Sequence, residues 1–252
     1  MQDKRAQALD EIRKLIFSGG LPPGSQTSER VLGEKLQMSR PPIREALAIL
    51  EYLGLVIQHP QKGVEIRVVE CAEAIEVLRL QRSLEVDMLD EFTADDGISP
   101  ELNKNLDAMR HAVNDPSGFL TARRSFHRAI AFGAHFRNAA VAIGAYEDRT
   151  HLFRCRLKKP LTRLDAQTIA TEHENILNGL ANNRTLAQEA LTRYFQAETT
   201  RIDKAATDTR RRMSADAAAF GDVSNQSSHA GATSTRQREM STIGGTPVYE
   251  KT

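Results

Sequence analysis

"MSRPPIREALAILEYLGLVIQHPQKGVEIR", residues 38–67, places two consecutive prolines at the head of a segment that otherwise repeats like a helix. Ile43, Ala46, Leu47 and Leu50 recur at three- and four-residue spacing, which puts them on one helical face. Backbone N–H groups in a first helical turn have no intrahelical acceptor. Pro41 and Pro42 therefore cost little there, and their fixed φ already suits the helix. Ser39 stands where an N-cap belongs, and Gly54 stands where a chain reverses after a helix ending near Tyr52. "LVIQHPQKGVEIRV" then reads as two short strands joined by a turn containing Lys62 and Gly63.

The residues before this stretch complete the unit. Ala6, Leu9, Ile12, Leu15 and Ile16 predict a helix over about 3–17, closed by the punctuating "SGGLPPGS". A second helix is predicted over 28–36, with Ser28 as its cap, and only Gln37 and Met38 separate it from the third. Two helices, a tight turn, a third helix and a two-stranded wing make a winged helix-turn-helix over residues 1–69. A recognition helix enters a DNA major groove by its N-terminal residues. Arg40 and Arg44 lie four apart near that end, away from the apolar stripe, where guanidinium groups reach phosphates or the O6/N7 edge of guanine. The Ser39 hydroxyl and the exposed N–H groups beside it suit a phosphate.

Composition limits the alternatives. A net charge of +1 makes the chain no polycation, so a nucleic-acid surface must be a local patch. Two cysteines, Cys71 and Cys155, form no disulfide framework and fit a reducing cytoplasm. The N-terminus has no apolar signal core, and no apolar run approaches the roughly 18 residues a membrane helix needs. Residues 70–205 alternate helical patterns with short breaks, at about 71–94, 99–113, 117–134, 139–157, 164–182 and 184–205, which implies an antiparallel all-α bundle. From 206 the chain turns rich in Ser, Thr, Ala, Gly and charge, and residues 206–252 are expected to be a disordered tail with Arg210, Arg211 and Arg212 as a solvated run. The expected fold is mainly α.

The N-terminal unit resembles the GntR family of bacterial transcription regulators. The resemblance rests on "LPPGS", "ERVLGEKLQM", "SRPPIREAL", "LEYLGLV" and "QKGVEI". It implies DNA contacts from an arginine early in the second helix, from the start of the recognition helix and from the wing: Arg30; then Ser39, Arg40, Pro41 and Arg44; then His59, Lys62 and Gly63. The family usually carries Thr where Pro41 stands, so one polar contact is expected to be missing. The bundle is similar to the FCD effector domain of the FadR-like branch, through "RLQRSLEVDMLDEF", "SFHRAIAF" and "EHENILNGL".

Many such domains hold a divalent metal with one Asp and three His. Here His127 and His173 match two of the imidazoles, Arg123 occupies the Asp position, and Tyr194 (or Phe195) falls at the third His. His151 and His135 are further imidazoles in the same region. The expectation is no cofactor, with zinc or nickel on His127 and His173 as the alternative. Arg123, His127, His173 and Tyr194 would then line a metal-free pocket in which Arg123 pairs with an effector carboxylate. The resemblance implies a cytoplasmic, homodimeric repressor that binds a palindromic operator in double-stranded DNA and responds to a small organic acid. Two other readings remain: a metal-dependent hydrolase fused to a DNA-binding domain, and a DNA-binding dimer with no small-molecule response. No GxSxG, HExxH, phosphate-loop or dinucleotide motif supports the enzyme.

Overall fold

The computed structural model describes residues 3–93, 98–157 and 161–230. Residues Met1–Ala206 pack as one compact unit, and Thr207–Thr252 form a second. The first helices are α1 (Lys4–Phe17), α2 (Glu29–Leu36) and α3 (Arg40–Tyr52). Asp3 caps α1 by accepting from the Arg5 N–H, and Ser28 caps α2 by accepting from the Val31 N–H. Gln37, in the left-handed region at φ 54°, makes the tight connection between α2 and α3. The stripe of Ile43, Ala46, Leu47 and Leu50 is fully buried against Ile12, Ile16 and Leu32.

α3 ends as its glycine requires. The Gly54 N–H bonds to Glu51 O and the Leu55 N–H to Leu50 O, with Gly54 at φ 74°, a reversal in which an L side chain is strained. The wing is β2 (Val56–His59) and β3 (Gly63–Ile66), antiparallel, with His59 opposite Gly63. The sheet differs from the sequence expectation. A third strand, β1 (Gln26–Thr27), pairs with β3, so the sheet is three-stranded in the order β1-β3-β2. Two residues are too few to show the alternation by which a strand is read.

The bundle is α4 (Cys71–Met88), α5 (Ile98–His111), α6 (Pro116–Gly133), α7 (Arg137–Arg156), α8 (Arg163–Asn182) and α9 (Arg184–Ala230). Thr162 and Asp165 make a reciprocal capping box at the start of α8. α9 runs past the boundary expected at 206. Residues 206–230 are helical, and 231–252 lie outside the described residues. The stretch 204–219 contains no Gly or Pro and is rich in Ala and Arg, both strong helix formers, so polarity alone did not distinguish a solvated helix from disorder. No helix among the described residues is long and apolar enough to cross a membrane.

Candidate functional site

The head of α3, the head of α2 and the wing turn enclose a concave surface of about 550 Å³, lined by Arg30, Arg40, His59 and Gly63 among others. Ser39 is exposed and its side chain makes no cap bond, which leaves the hydroxyl available. Three arginines there are exposed but differ in their partners. Arg40 makes no ion pair among the described residues, Arg30 reaches Glu34 at 2.7 Å, and Arg44 makes a bidentate bond to Glu29 at 2.8 and 2.9 Å. That bond holds the Glu29 carboxyl below its ordinary range.

The wing turn runs His59-Pro60-Gln61-Lys62. The Lys62 N–H bonds to His59 O, Pro60 is at the second position and Gln61 has φ 63°. Lys62 is exposed at its tip, and His59 Nε2 lies 3.0 Å from Glu65. Gly63 has a packing requirement of its own: at φ 93°, a Cβ would stand 2.5 Å from Thr27 O on β1. Pro41 lies exposed in the first turn of α3 and offers no donor. The structure thus brings the predicted DNA-contact residues to one end of the winged unit.

The second centre is inside the bundle. Arg123, His127, His173 and Tyr194 are buried together. Arg123 is not open to a ligand carboxylate. Its guanidinium bonds Glu147 through Nε at 2.9 Å and Nη2 at 2.6 Å, and Glu198 through Nη1 at 3.1 Å. Burial alone would ease its proton off, but the carboxylates of Glu147 and Glu198 outweigh that and raise its pKa. Glu198 also accepts from Arg154 and Arg201, and these guanidinium groups hold it ionised although burial opposes this.

The two imidazoles form a chain whose proton positions follow from their partners. His173 Nδ1 lies 2.7 Å from Ile169 O, so it must donate, and its Nε2 is left to accept from His127 Nε2 at 3.1 Å. His127 Nδ1 faces Glu85 at 2.7 Å. Burial disfavours the imidazolium, but the Glu85 carboxylate outweighs it and raises the His127 pKa. His173, beside that charge and equally buried, is pushed well down and stays neutral. Gln81 Nε2 bridges Glu85 and Glu147. The Tyr194 hydroxyl is buried with no partner among the described residues.

The donor set does not fit the divalent metal that the resemblance raised. Two imidazoles, a guanidinium and a phenol stand where an Asp and three His would be, and among the described residues no group of three His, Cys, Asp or Glu could hold a metal. His151 is elsewhere, stacked on Phe17 with ring centroids 4.1 Å apart, and His135 faces Thr93.

Glu85, Glu147 and Glu198 escaped the sequence reading, although a signal existed for one of them. On α4 the buried positions are Ala74, Val77, Leu78, Gln81, Glu85 and Met88, so Gln81 and Glu85 sit on the apolar stripe itself. A carboxylate in a core stripe implies a buried cation.

A winged helix with an exposed arginine-bearing recognition helix, fused to a helical bundle with a polar centre, defines a DNA-binding regulator with a sensory domain. Comparison with known proteins gives the family. Residues 4–66 match the model of bacterial regulatory proteins, gntR family, and residues 76–197 match the FCD domain. The chain belongs to the GntR family of transcription regulators, with a C-terminal FCD domain that binds small-molecule effectors. It is 25% identical over 196 residues to the uncharacterized HTH-type transcriptional regulator YdhC of Bacillus subtilis (75% of this chain, 86% of that protein). It is 31% identical over 130 residues to an uncharacterized HTH-type regulator from the TAR-I ttuE-ttuC' intergenic region of Agrobacterium vitis (49% and 76%). It is 28% identical over 200 residues to a probable D-xylose utilization operon transcriptional repressor of Paenarthrobacter nicotinovorans (76% and 85%). In fold it is similar to a putative GntR regulator from Rhodococcus sp. RHA1, with TM-score 0.67 and 24% identity over 80% of this chain and 98% of that one. The family and these relatives are regulators and not enzymes.

Proposed function

We propose that the chain is a cytoplasmic, homodimeric repressor that binds a palindromic operator and is released or retained by a small organic acid. The observation that carries the DNA part is the concave surface that Arg30, Arg40, His59 and Gly63 share at the head of α3. Ser39, Pro41, Arg44 and Lys62 flank it, and the winged unit of residues 1–69 supplies all eight contacts. The repressor sign takes support from the named repressor among the relatives. Two-fold protein symmetry would be mirrored in the operator. Exposed Leu80, Phe132, Phe136 and Val141 are apolar surface on α4, α6 and α7 and around their junctions, which a second copy would cover.

The effector belongs to the helical domain over residues 70–205. Arg123, His127 and His173 belong to one hydrogen-bonded centre there, with the Tyr194 ring packed against both imidazoles. An acid that reached Arg123 would have to displace Glu147 or Glu198 from it. The test of the whole reading is binding to DNA from upstream of the chain's own gene, with competitor DNA, for the native protein and Arg44→Ala. Competitor-resistant binding lost in the variant supports it; weak, salt-sensitive binding equal in both proteins overturns it.

A further inference from the structure

A cavity of about 480 Å³ lies where the end of α1 and the "SGGLPP" connection face the start of α6 and the end of α7. That volume suits a small organic molecule. Its walls are largely apolar, with Phe17, Leu120 and Leu161 among them, and His151 is stacked flat on Phe17 with 12° between the planes. Arg154 and Arg156 also line it. A terminal nitrogen of Arg154 goes to Glu198, but its Nε is buried with no partner among the described residues. A buried donor with no acceptor is costly, and a ligand oxygen would satisfy it. His151 carries no charge that could repel or bind the ligand by itself, because burial, then Arg123, Arg154 and Arg13, hold its pKa at about 3. The site is therefore an apolar slot with cationic groups at one side.

The position matters as much as the chemistry. A narrow second cavity of about 20 Å³, too small for an organic ligand, shares Phe17, Leu120 and His151 with the first and reaches Arg123 and Glu147. α7 also holds the winged unit. Asp148 pairs with Arg13 of α1, Arg149 Nε donates to Leu53 O at the end of α3, and Arg156 bonds both Val69 O and Glu70. A molecule in the slot touches the DNA-binding unit, the bundle and Arg156 at once.

We propose that this seam cavity binds a small aromatic carboxylate, with its ring against Phe17, Leu120 and Leu161 and its carboxylate at Arg154 and Arg156. The inference rests on the effector-responsive reading and gives the acid a place outside the filled centre of the bundle. Binding there draws on Arg156 and alters its grip on Val69 and Glu70, where the winged unit joins α4.

The probe is 2-naphthoate, titrated calorimetrically into the full chain, with naphthalene-2-methanol as the uncharged counterpart. One site per chain is expected, with a rise in Tm. The alcohol should bind at least about tenfold more weakly, because it lacks the charge-assisted bond. Leu161→Trp, which fills the slot, and Arg154→Lys, which keeps the charge toward Glu198 but removes the free Nε–H, should each weaken binding about tenfold or more. Circular dichroism checks that both variants fold, and Leu161→Trp carries the test if Arg154→Lys does not. No binding at millimolar naphthoate overturns the seam site, as does binding that Leu161→Trp leaves intact or that Tyr194→Phe abolishes in its place. The operator assay separates the two levels. Operator binding without naphthoate binding removes only the seam proposal, whereas a native chain that ignores its operator removes the regulator reading beneath it.

Discussion

Arginine serves opposite purposes in two regions of this molecule. At the head of α3, Arg40 makes no ion pair among the described residues, and the exposed Arg44 is held by a single carboxylate, that of Glu29. In the bundle, Arg123 is 1% exposed and saturated by Glu147 and Glu198. An exposed pair is worth little, so a DNA phosphate or base can replace its carboxylate at small cost. A buried pair gives up a partner only by leaving a bare charge in low dielectric. The same side chain is thus an exchangeable contact on one surface and a fixed core component in the other region.

The contrast is broken most severely by Arg123→Met. Glu147 and Glu198 then lose their shared cation, and stability should fall by about 3–5 kcal/mol, read as a lower midpoint in urea unfolding. Arg40→Ala should do the reverse. Its urea midpoint should match the native one, while operator affinity drops by about 1–3 kcal/mol and discrimination relaxes at one base pair, as anisotropy titrations against a set of single-base operator variants would show.

The seam offers a pH test of similar size. His151 is neutral when folded, with its pKa near 3, but takes a proton near pH 6.5 when unfolded. Its folded pKa is depressed, so the unfolded chain binds the extra proton and stability falls as pH drops from 6.5 toward 3. The loss is at most about 1.4 kcal/mol per pH unit. His151→Phe keeps the stack on Phe17, and the difference in unfolding free energy between variant and native should widen in the variant's favour between pH 6.5 and 5.5. The smallest effect is at the wing tip. Lys62→Ala should weaken binding equally on all sequences and reduce the salt slope by about one unit.

Most of the winged unit was legible because its signals are local. Pro41, Pro42, Ser39 and Gly54 each fix the backbone within a turn, and the structure places α3 over the residues they bracket. β1 was missed because its only evidence is a pairing with Glu65 and Val64, some 40 residues away. Grouping Arg123, His127, His173 and Tyr194 was possible from the family pattern. Their actual partners were not, since Glu147 and Glu198 come from other helices and nothing near Arg123 in sequence announces them. Glu29 escaped for the same reason: its bond to Arg44 spans fifteen residues and two helices.

Glu147, Asp148 and Arg149 follow one another on α7, yet they face the bundle centre, α1 and the end of α3 respectively. Each residue of a helix turns its side chain by about 100° from the last. Exchanging one of the three removes only that residue's own partners: Arg123 and Gln81 for Glu147, Arg13 and Arg124 for Asp148, Leu53 O for Arg149. A single residue deleted earlier in α7 would instead turn all three together, pointing Asp148 where Glu147 belongs, and an insertion would put Tyr146 there. The register of α7 thus sets three sets of partners at once, in the bundle centre, on α1 and at the end of α3.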